Sequence, residues 1–160
     1  MKRGSLLLNK YFLLFSLLLQ SFIGFCFTND LDPEDVVRVK IENVSVGEGS
    51  VMIALYEERH FLEAGKEIMT FQVKANEGVI YVEIPVDQLQ LGQYALAAYQ
   101  DANSNGKLDK NLVGVPKESY AFSGSNLSKW KQPTFQDSAF TVREQIGKTV
   151  PLFLAKWKEK

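Results

Sequence analysis

The residues best suited to chemistry lie in the segment 101–109, DANSNGKLD, where oxygen-bearing side chains recur at alternate positions. Asp101, Asn103, Asn105 and Asp109 would supply side-chain oxygens, and Lys107 would supply its backbone carbonyl. This alternation, interrupted by a glycine, is typical of loops that fold around calcium, a hard cation that prefers oxygen ligands. Two neutral amides among the ligands limit the repulsion between carboxylates. The sequence therefore predicts a calcium site at these five residues.

The predicted calcium loop is not an EF-hand. An EF-hand places a bidentate glutamate at the twelfth position, which is Leu112 in this chain. A remote side chain or water must therefore complete the shell, and Glu118 and Asp137 are the candidates between which the sequence does not choose. Without that glutamate we expect an affinity of about 10⁻⁴–10⁻³ M, as in extracellular modules. The alternative is a solvated turn, because Asp, Asn and Gly dominate turns.

The other polar residues give weak signals of catalysis. Glu118 could pair with Asp137 or Asp109 as acid and base, but carboxylates that pin a loop are the favoured interpretation. Ser123 lacks the flanking pattern of a nucleophile elbow. His60 is the one histidine of the chain, which argues against a zinc site. We therefore expect a protein without enzymatic activity.

The N-terminal segment has the layout of an export signal. Positive residues precede a nearly unbroken apolar run that ends at Phe27, so residues 1–27 are predicted to be a signal peptide or, if uncleaved, a membrane anchor. An acidic linker, 28–35, follows it. The domain proper is predicted at 36–156, with a basic tail at 157–160. We expect a periplasmic or cell-envelope protein that touches the membrane only through its N-terminal segment.

The composition restricts the class of protein. Removal of the leader leaves roughly 130 residues, the size of one ordinary domain. The chain is 46% hydrophobic, which is enough apolar side chain to exclude disorder of the body. Its net charge is −1 and no basic patch mixes with aromatics, so nucleic-acid binding is excluded. The one cysteine lies in the leader, so the domain has no disulfide.

Short alternating or apolar segments predict about seven strands. They lie at 37–42, 51–56, 68–73, 79–84, 93–100, 135–142 and 149–155. The turn at 76–78 indicates a hairpin between the third and fourth strands, and Pro151 indicates an edge strand. With little helix signal beyond a turn within 57–67, the pattern predicts an all-β fold, an antiparallel β-sandwich.

The segment 112–133 is predicted to be a long irregular loop, and such loops tend to be functional. It contains Tyr120, Phe122 and Trp130. These aromatic side chains either pack the loop onto the sandwich or form a platform for sugars or peptides; packing is the commoner role.

Two groups of residues resemble known families. The step 91–94, LGQY, before an apolar strand resembles prealbumin-like sandwich modules. The segments 101–109, 114–118 and 121–123, with the closing pattern 133–140, resemble an exported bacterial family catalogued as domain of unknown function 2141. This chain has Gln100 where a histidine is common in that family. The resemblance covers about 37–154 and implies a prealbumin- or immunoglobulin-like sandwich and export, but no reaction.

Taken together, the sequence predicts an exported, non-enzymatic binding or structural module of the bacterial cell envelope with a calcium-stabilised loop. Its partner would be an unidentified protein or glycan of the envelope. One alternative is a carbohydrate- or peptide-handling enzyme that uses the 112–133 loop. Another is an adhesion or transport accessory that acts through an exposed edge strand.

Overall fold

A computed structural model describes residues 35–124 and 132–156. The predicted leader at 1–27, nearly all of the linker at 28–35 and the tail at 157–160 lie outside the described residues. The chain divides into the units Met1–Asp30 and Leu31–Lys160, and every described residue belongs to the second. No helix in this described part is long and apolar enough to cross a membrane.

Within the described residues, eight strands form two sheets, one of three strands and one of five. In chain order they are β1 (Val36–Glu42), β2 (Ser50–Tyr56), β3 (Met69–Lys74), β4 (Val79–Pro85), β5 (Gln93–Asp101), β6 (Tyr120–Phe122), β7 (Ala139–Thr141) and β8 (Thr149–Phe153). The smaller sheet has the order β4-β1-β8; the larger has β3-β2-β5-β6, with β7 also paired to β5. The predicted all-β sandwich is confirmed.

Alternation of apolar residues along the strands creates the core. Successive side chains of a strand point to opposite faces, so every second residue of β1 and β4 turns inward. Fully or almost fully buried residues of the core include Val37, Val39, Ile41, Val82, Ile84, Val51, Ile53, Leu55, Leu96 and Leu152. Burial of each such side chain contributes about 1.5–3 kcal/mol. Because all eight strands and this core lie within Leu31–Lys160, we expect that unit to fold without the leader.

The predicted hairpin between the third and fourth strands is wrong. β3 pairs with β2 and β4 pairs with β1, so the two strands belong to different sheets. The β1–β2 connection takes the hydrogen bonds that a hairpin would use. Ala75 exchanges backbone bonds with Gly47 and Gly49, and the Gly78 carbonyl accepts from Val44. The chain therefore crosses between sheets at residues 75–78.

Three further details depart from the sequence prediction. The segment 135–142 is not one strand: it contains helix α1 (Phe135–Ser138), then β7, and helix α2 (Val142–Gln145) starts at its last residue. The long loop 112–133 contains β6, which pairs with β5. β8 runs parallel to β1, whereas the other strand pairs are antiparallel. Pro151 lies in β8 at the edge of its sheet, as predicted.

The strand directions divide the connections between two ends of the sandwich. At one end, here called the loop end, lie the segments 43–49, 75–78 and 102–119. At the opposite end lie the segments 57–68, 86–92 and 146–148. The predicted calcium loop is therefore held directly above the last residues of β5.

Candidate calcium-binding loop

The loop is organised by the side chain of Asp101, the last residue of β5. Asp101 is 1% exposed. Its Oδ1 accepts the backbone N–H of Asn105 at 3.0 Å, and its Oδ2 accepts that of Gly106 at 2.7 Å. These two bonds fold the chain back over the strand end. Gly106 has φ of +76°, a conformation that glycine adopts without steric cost.

The side chains of the loop converge on one carboxylate. The Nδ2 of Asn103 donates to Oδ2 of Asp109 at 2.7 Å, and the Nδ2 of Asn105 donates to Oδ1 of Asp109 at 3.0 Å. The amide oxygens turn to the backbone: Oδ1 of Asn103 accepts from the N–H of Asn105, and Oδ1 of Asn105 accepts from the N–H of Lys107. Four of the five predicted ligand residues are therefore joined in one network, and the fifth, Lys107, is bonded to it.

The donor chemistry of this network determines how it could accept a cation. A primary amide carries its oxygen and its nitrogen on the same carbon, so a half-turn of the Asn103 and Asn105 amides would present oxygens where nitrogens now face Asp109. That rotation breaks the two hydrogen bonds in which backbone N–H groups donate to the amide oxygens. A cation must outweigh this loss, which favours the modest affinity expected from the sequence.

Glu118 fastens the two ends of the loop to each other. It is 7% exposed, and its oxygens accept the backbone N–H groups of Ala102 at 2.9 Å and of Asp109 at 3.0 Å. The backbone N–H of Lys117 also donates to the carbonyl of Asp109 at 2.8 Å. These bonds place the start and the end of the loop side by side.

The two candidates for a remote ligand have different surroundings. Glu118 lies against the loop, with both oxygens bonded to backbone N–H groups. Asp137 lies in α1, where its Oδ2 accepts the backbone N–H and the hydroxyl of Thr134 in a capping box. Capping-box bonds satisfy N–H groups that a helix start leaves unpaired. The structure thus places both oxygens of Glu118 at the loop and Oδ2 of Asp137 at the start of α1.

Two residues that the sequence analysis did not assign to the site support the loop from below. An added Cβ at Gly49, whose φ is +61°, would lie 1.8 Å from the carbonyl oxygen of Asp101. Buried Gln100 donates to the carbonyls of Ser45 and Glu48 and accepts the N–H of Ser45. Both residues tie the β1–β2 connection to the loop. The β1–β2 connection lies close to the end of β5 because β2 pairs with β5. The local sequence does not encode that pairing.

Carboxylates at the base of the loop act on the neighbouring side chain of Tyr99. Burial, followed by the charges of Asp101, Glu118 and Glu67, raises the pKa of Tyr99 in β5. Within the described residues, however, no group of three or more His, Cys, Asp or Glu residues could hold a metal ion. The predicted site therefore depends on amide and carbonyl oxygens in addition to the carboxylates.

A small cavity of about 90 Å³ lies beside the loop. Its lining residues are Ser45, Glu48, Gln100, Ala102, Lys117, Glu118, Ser119 and Lys156. Two carboxylates, those of Glu48 and Glu118, line the cavity. Both oxygens of Glu118 are already bonded to backbone N–H groups. The cavity has room for a few water molecules.

The polar residues considered for catalysis have structural contacts. Ser123 is fully buried; its Oγ accepts the N–H of Leu96 at 2.8 Å and donates to the carbonyl of Ser138 at 2.5 Å. His60 lies at the opposite end of the sandwich, with Nδ1 3.1 Å from a carboxylate oxygen of Glu63. The structure does not bring these two residues to the loop.

Two of the three aromatic residues considered for a platform belong to β6. The rings of Tyr120 and Phe122 are 5.9 Å apart, and Phe122 is 6.3 Å from Phe61. Phe61 also contacts Phe135 edge to face at 5.8 Å. Such contacts hold the segment 57–62 against the sheet and favour packing as the role of these rings. Trp130 lies outside the described residues.

Comparison with known proteins identifies the family but no function. No curated protein and no solved structure matches the chain. Residues 39–149 match a family described as an uncharacterised protein conserved in bacteria, domain of unknown function 2141. The matched range contains six of the eight strands whole, most of β1, the first residue of β8 and the whole 101–109 loop. The chain therefore belongs to the bacterial family of domain of unknown function 2141.

Proposed function

We propose that this protein is an exported, non-enzymatic binding or structural module of the bacterial cell envelope whose 101–109 loop is stabilised by calcium. One observation carries the proposal: the side chains of Asn103 and Asn105 converge on the carboxylate of Asp109, at 2.7 and 3.0 Å. A half-turn of these two amides would place their oxygens beside that carboxylate, which is the set of oxygen ligands that calcium prefers.

The proposed ion fixes the connection between β5 and β6. Asp101 and Asp109 lie at the two ends of the loop, and Glu118 already holds those ends together. An ion between the carboxylates and the rotated amides would replace contacts that water can break. With a Kd of about 0.5 mM, 5 mM calcium would add about 1.4 kcal/mol to the free energy of unfolding.

Two considerations support a binding or structural role over catalysis, and a third supports export. Both oxygens of Glu118 accept backbone N–H groups, Oδ2 of Asp137 accepts capping bonds, and Ser123 is buried. The apolar run before residue 28 supports export. The proposed partner is a protein or a glycan of the envelope.

The alternatives have less support. An enzyme of the 112–133 segment would need two carboxylates free to exchange protons, and the described bonds of Glu118 leave it poorly placed for that role. An accessory that acts through an edge strand would use β3, β4, β6 or β8. Pro85 at the end of β4 and Pro151 within β8 remove N–H donors from two of these edges.

A thermal-unfolding experiment on residues 28–160 tests the proposed ion. We expect 5 mM calcium, relative to EDTA, to raise the Tm of the wild-type protein by about 6 °C, since 1 kcal/mol corresponds to about 4 °C for a domain of this size. Asp109→Asn should lose most of that rise. An equal Tm in EDTA and calcium would overturn the proposed calcium site.

A further inference from the structure

A rigid turn at the loop end displays two aliphatic side chains to solvent. Leu112 is fully exposed and Val113 is 79% exposed; together they are called here the apolar tip. Isolated exposed apolar residues are ordinary on protein surfaces. Two adjacent ones at the apex of a projecting turn are the feature that needs an explanation.

The turn cannot fold its apolar tip inward. The side-chain oxygen of Asn111 accepts the N–H groups of Val113 at 3.1 Å and of Val115 at 2.9 Å. The backbone of Asn111 also bonds to Gly114 and Val115, and Lys110 faces Pro116 in an antiparallel bridge. These contacts close a short hairpin whose apex points away from the core. The apolar tip is therefore presented to solvent by a preformed structure.

Lysines surround the base of the apolar tip. Lys110 and Lys117 are exposed residues of the hairpin stem, and Lys107 is exposed in the neighbouring loop. Within residues 35–124 and 132–156, none of these three ammonium groups forms an ion pair. Of the exposed carboxylates at this end, Glu77 belongs to another connection, and Glu48 lines the small cavity with Lys117 without forming an ion pair with it. A convex apolar apex with unpaired cations at its base is complementary to a surface that has an apolar interior beneath an anionic outer layer.

We propose that the apolar tip inserts into an anionic phospholipid surface, with Lys110 and Lys117 placed at the phosphate groups. Insertion removes the aliphatic side chains from water, and each nearby lysine adds attraction to anionic lipid. A protein partner fits less well, because two protruding side chains cover a small part of the about 800 Å² per partner in a stable protein interface. A fluid bilayer needs no matching socket. This contact would add to the one expected of the N-terminal segment.

Vesicle co-sedimentation tests the inference on residues 28–160, which lack the apolar leader. We expect wild-type protein to pellet with phosphatidylglycerol vesicles at millimolar lipid, and several-fold less with phosphatidylcholine. Leu112→Asn should lower the partition coefficient by about fivefold or more. The matched control, Leu91→Asn, changes an exposed leucine at the opposite end, 40% exposed, and should bind as the wild type does.

The charge contribution has its own matched pair. Lys110→Gln with Lys117→Gln should weaken binding to phosphatidylglycerol by about thirtyfold. Lys148→Gln changes an exposed lysine at the opposite end and should leave binding unchanged. Each measurement is made in EDTA and again in 5 mM calcium, so that loss of the calcium site and loss of lipid binding are separate results. If wild-type and Leu112→Asn proteins partition alike in both buffers, or if neither binds the vesicles, the inference is overturned. The apolar tip would then be a candidate contact for a protein partner instead.

Discussion

Replacement of Asn105 by aspartate should destabilise the protein without calcium and enlarge the stabilisation that calcium provides. In the structure, Nδ2 of Asn105 donates to Oδ1 of Asp109 at 3.0 Å. An aspartate at this position removes the donor and places two carboxylates in contact. Its oxygen can still accept the N–H of Lys107, as the amide oxygen does at 2.8 Å. The second oxygen would then be free for an ion without breaking that backbone bond.

The size of the penalty without calcium follows from the same contact. A hydrogen bond to a charged group contributes about 1–2 kcal/mol at a partly exposed site. Two unit charges 3 Å apart repel by about 1.4 kcal/mol at the dielectric constant of water. Since the carboxylates can turn apart, we expect a net loss of about 2 kcal/mol in EDTA, or about 8 °C in Tm for a domain of about 120 residues.

Calcium should reverse much of this loss. An added carboxylate ligand is expected to tighten binding by about tenfold, from about 0.5 mM to about 0.05 mM. At 5 mM calcium the ion would then add about 2.7 kcal/mol to the variant and about 1.4 kcal/mol to the wild type. The Tm rise caused by calcium should therefore be about twice as large in Asn105→Asp.

Differential scanning calorimetry in EDTA and in 5 mM calcium measures both quantities, at 150 mM salt to screen distant charges. Asn111→Asp is the matched control, because Oδ1 of Asn111 serves only as an acceptor for the N–H groups of Val113 and Val115. It adds the same charge outside the loop and should leave the calcium response unchanged. Equal calcium responses in wild type and Asn105→Asp would refute the reasoning.

Three other predictions concern stability. Glu118→Gln should cost about 1–3 kcal/mol in chemical denaturation in EDTA as well as in calcium, since one N–H loses its acceptor; a loss confined to calcium would instead make Glu118 an ion ligand. Gly49→Ala should unfold or severely destabilise the protein, because its Cβ would meet the carbonyl of Asp101. The control Gly47→Ala has nothing within 4 Å of the added Cβ and should cost about 1 kcal/mol. Similar melting curves for the two variants would contradict the close packing of Gly49. Burial, helped by Glu67, raises the pKa of Tyr56 to about 12, so stability present below pH 10 should fall as pH rises from 10 to 12. In a series of Tm measurements across this range, Tyr56→Phe should make the fall shallower. An unchanged slope would contradict the role of Tyr56.

Patterns within single strands predict much of the fold. The alternation of Val37, Val39 and Ile41 correctly gives β1, and Pro151 correctly marks an edge strand. Pairing between strands is harder, because the turn at 76–78 is compatible both with a hairpin and with a crossing between sheets. Hydrogen bonds from the distant β1–β2 connection decide the matter, and such bonds have no local signature.

The segment 135–142 shows a signal that could have been used. Thr134 and Asp137 have the spacing of a capping box, which indicates a helix start where weak alternation suggested a strand. Competition between the two patterns explains why a short helix and a short strand share this segment.

Spacing alone could identify the residues of the loop but not its fastening. Alternate oxygen-bearing side chains after an apolar strand led to Asp101, Asn103, Asn105 and Asp109, which the structure joins in one network. The role of Glu118 depends on backbone N–H groups seven residues apart meeting at one carboxylate. That meeting is a product of the folded loop. Calcium binding itself remains a prediction.

Equilibrium dialysis of residues 28–160 against calcium tests the central claim most directly, because it counts bound ions without relying on stability. We predict one calcium ion per chain, half-saturated at about 10⁻⁴–10⁻³ M, and loss of that ion in Asp109→Asn. If the wild-type protein binds no calcium at millimolar concentration, or binds it equally after that substitution, the account of the loop is contradicted.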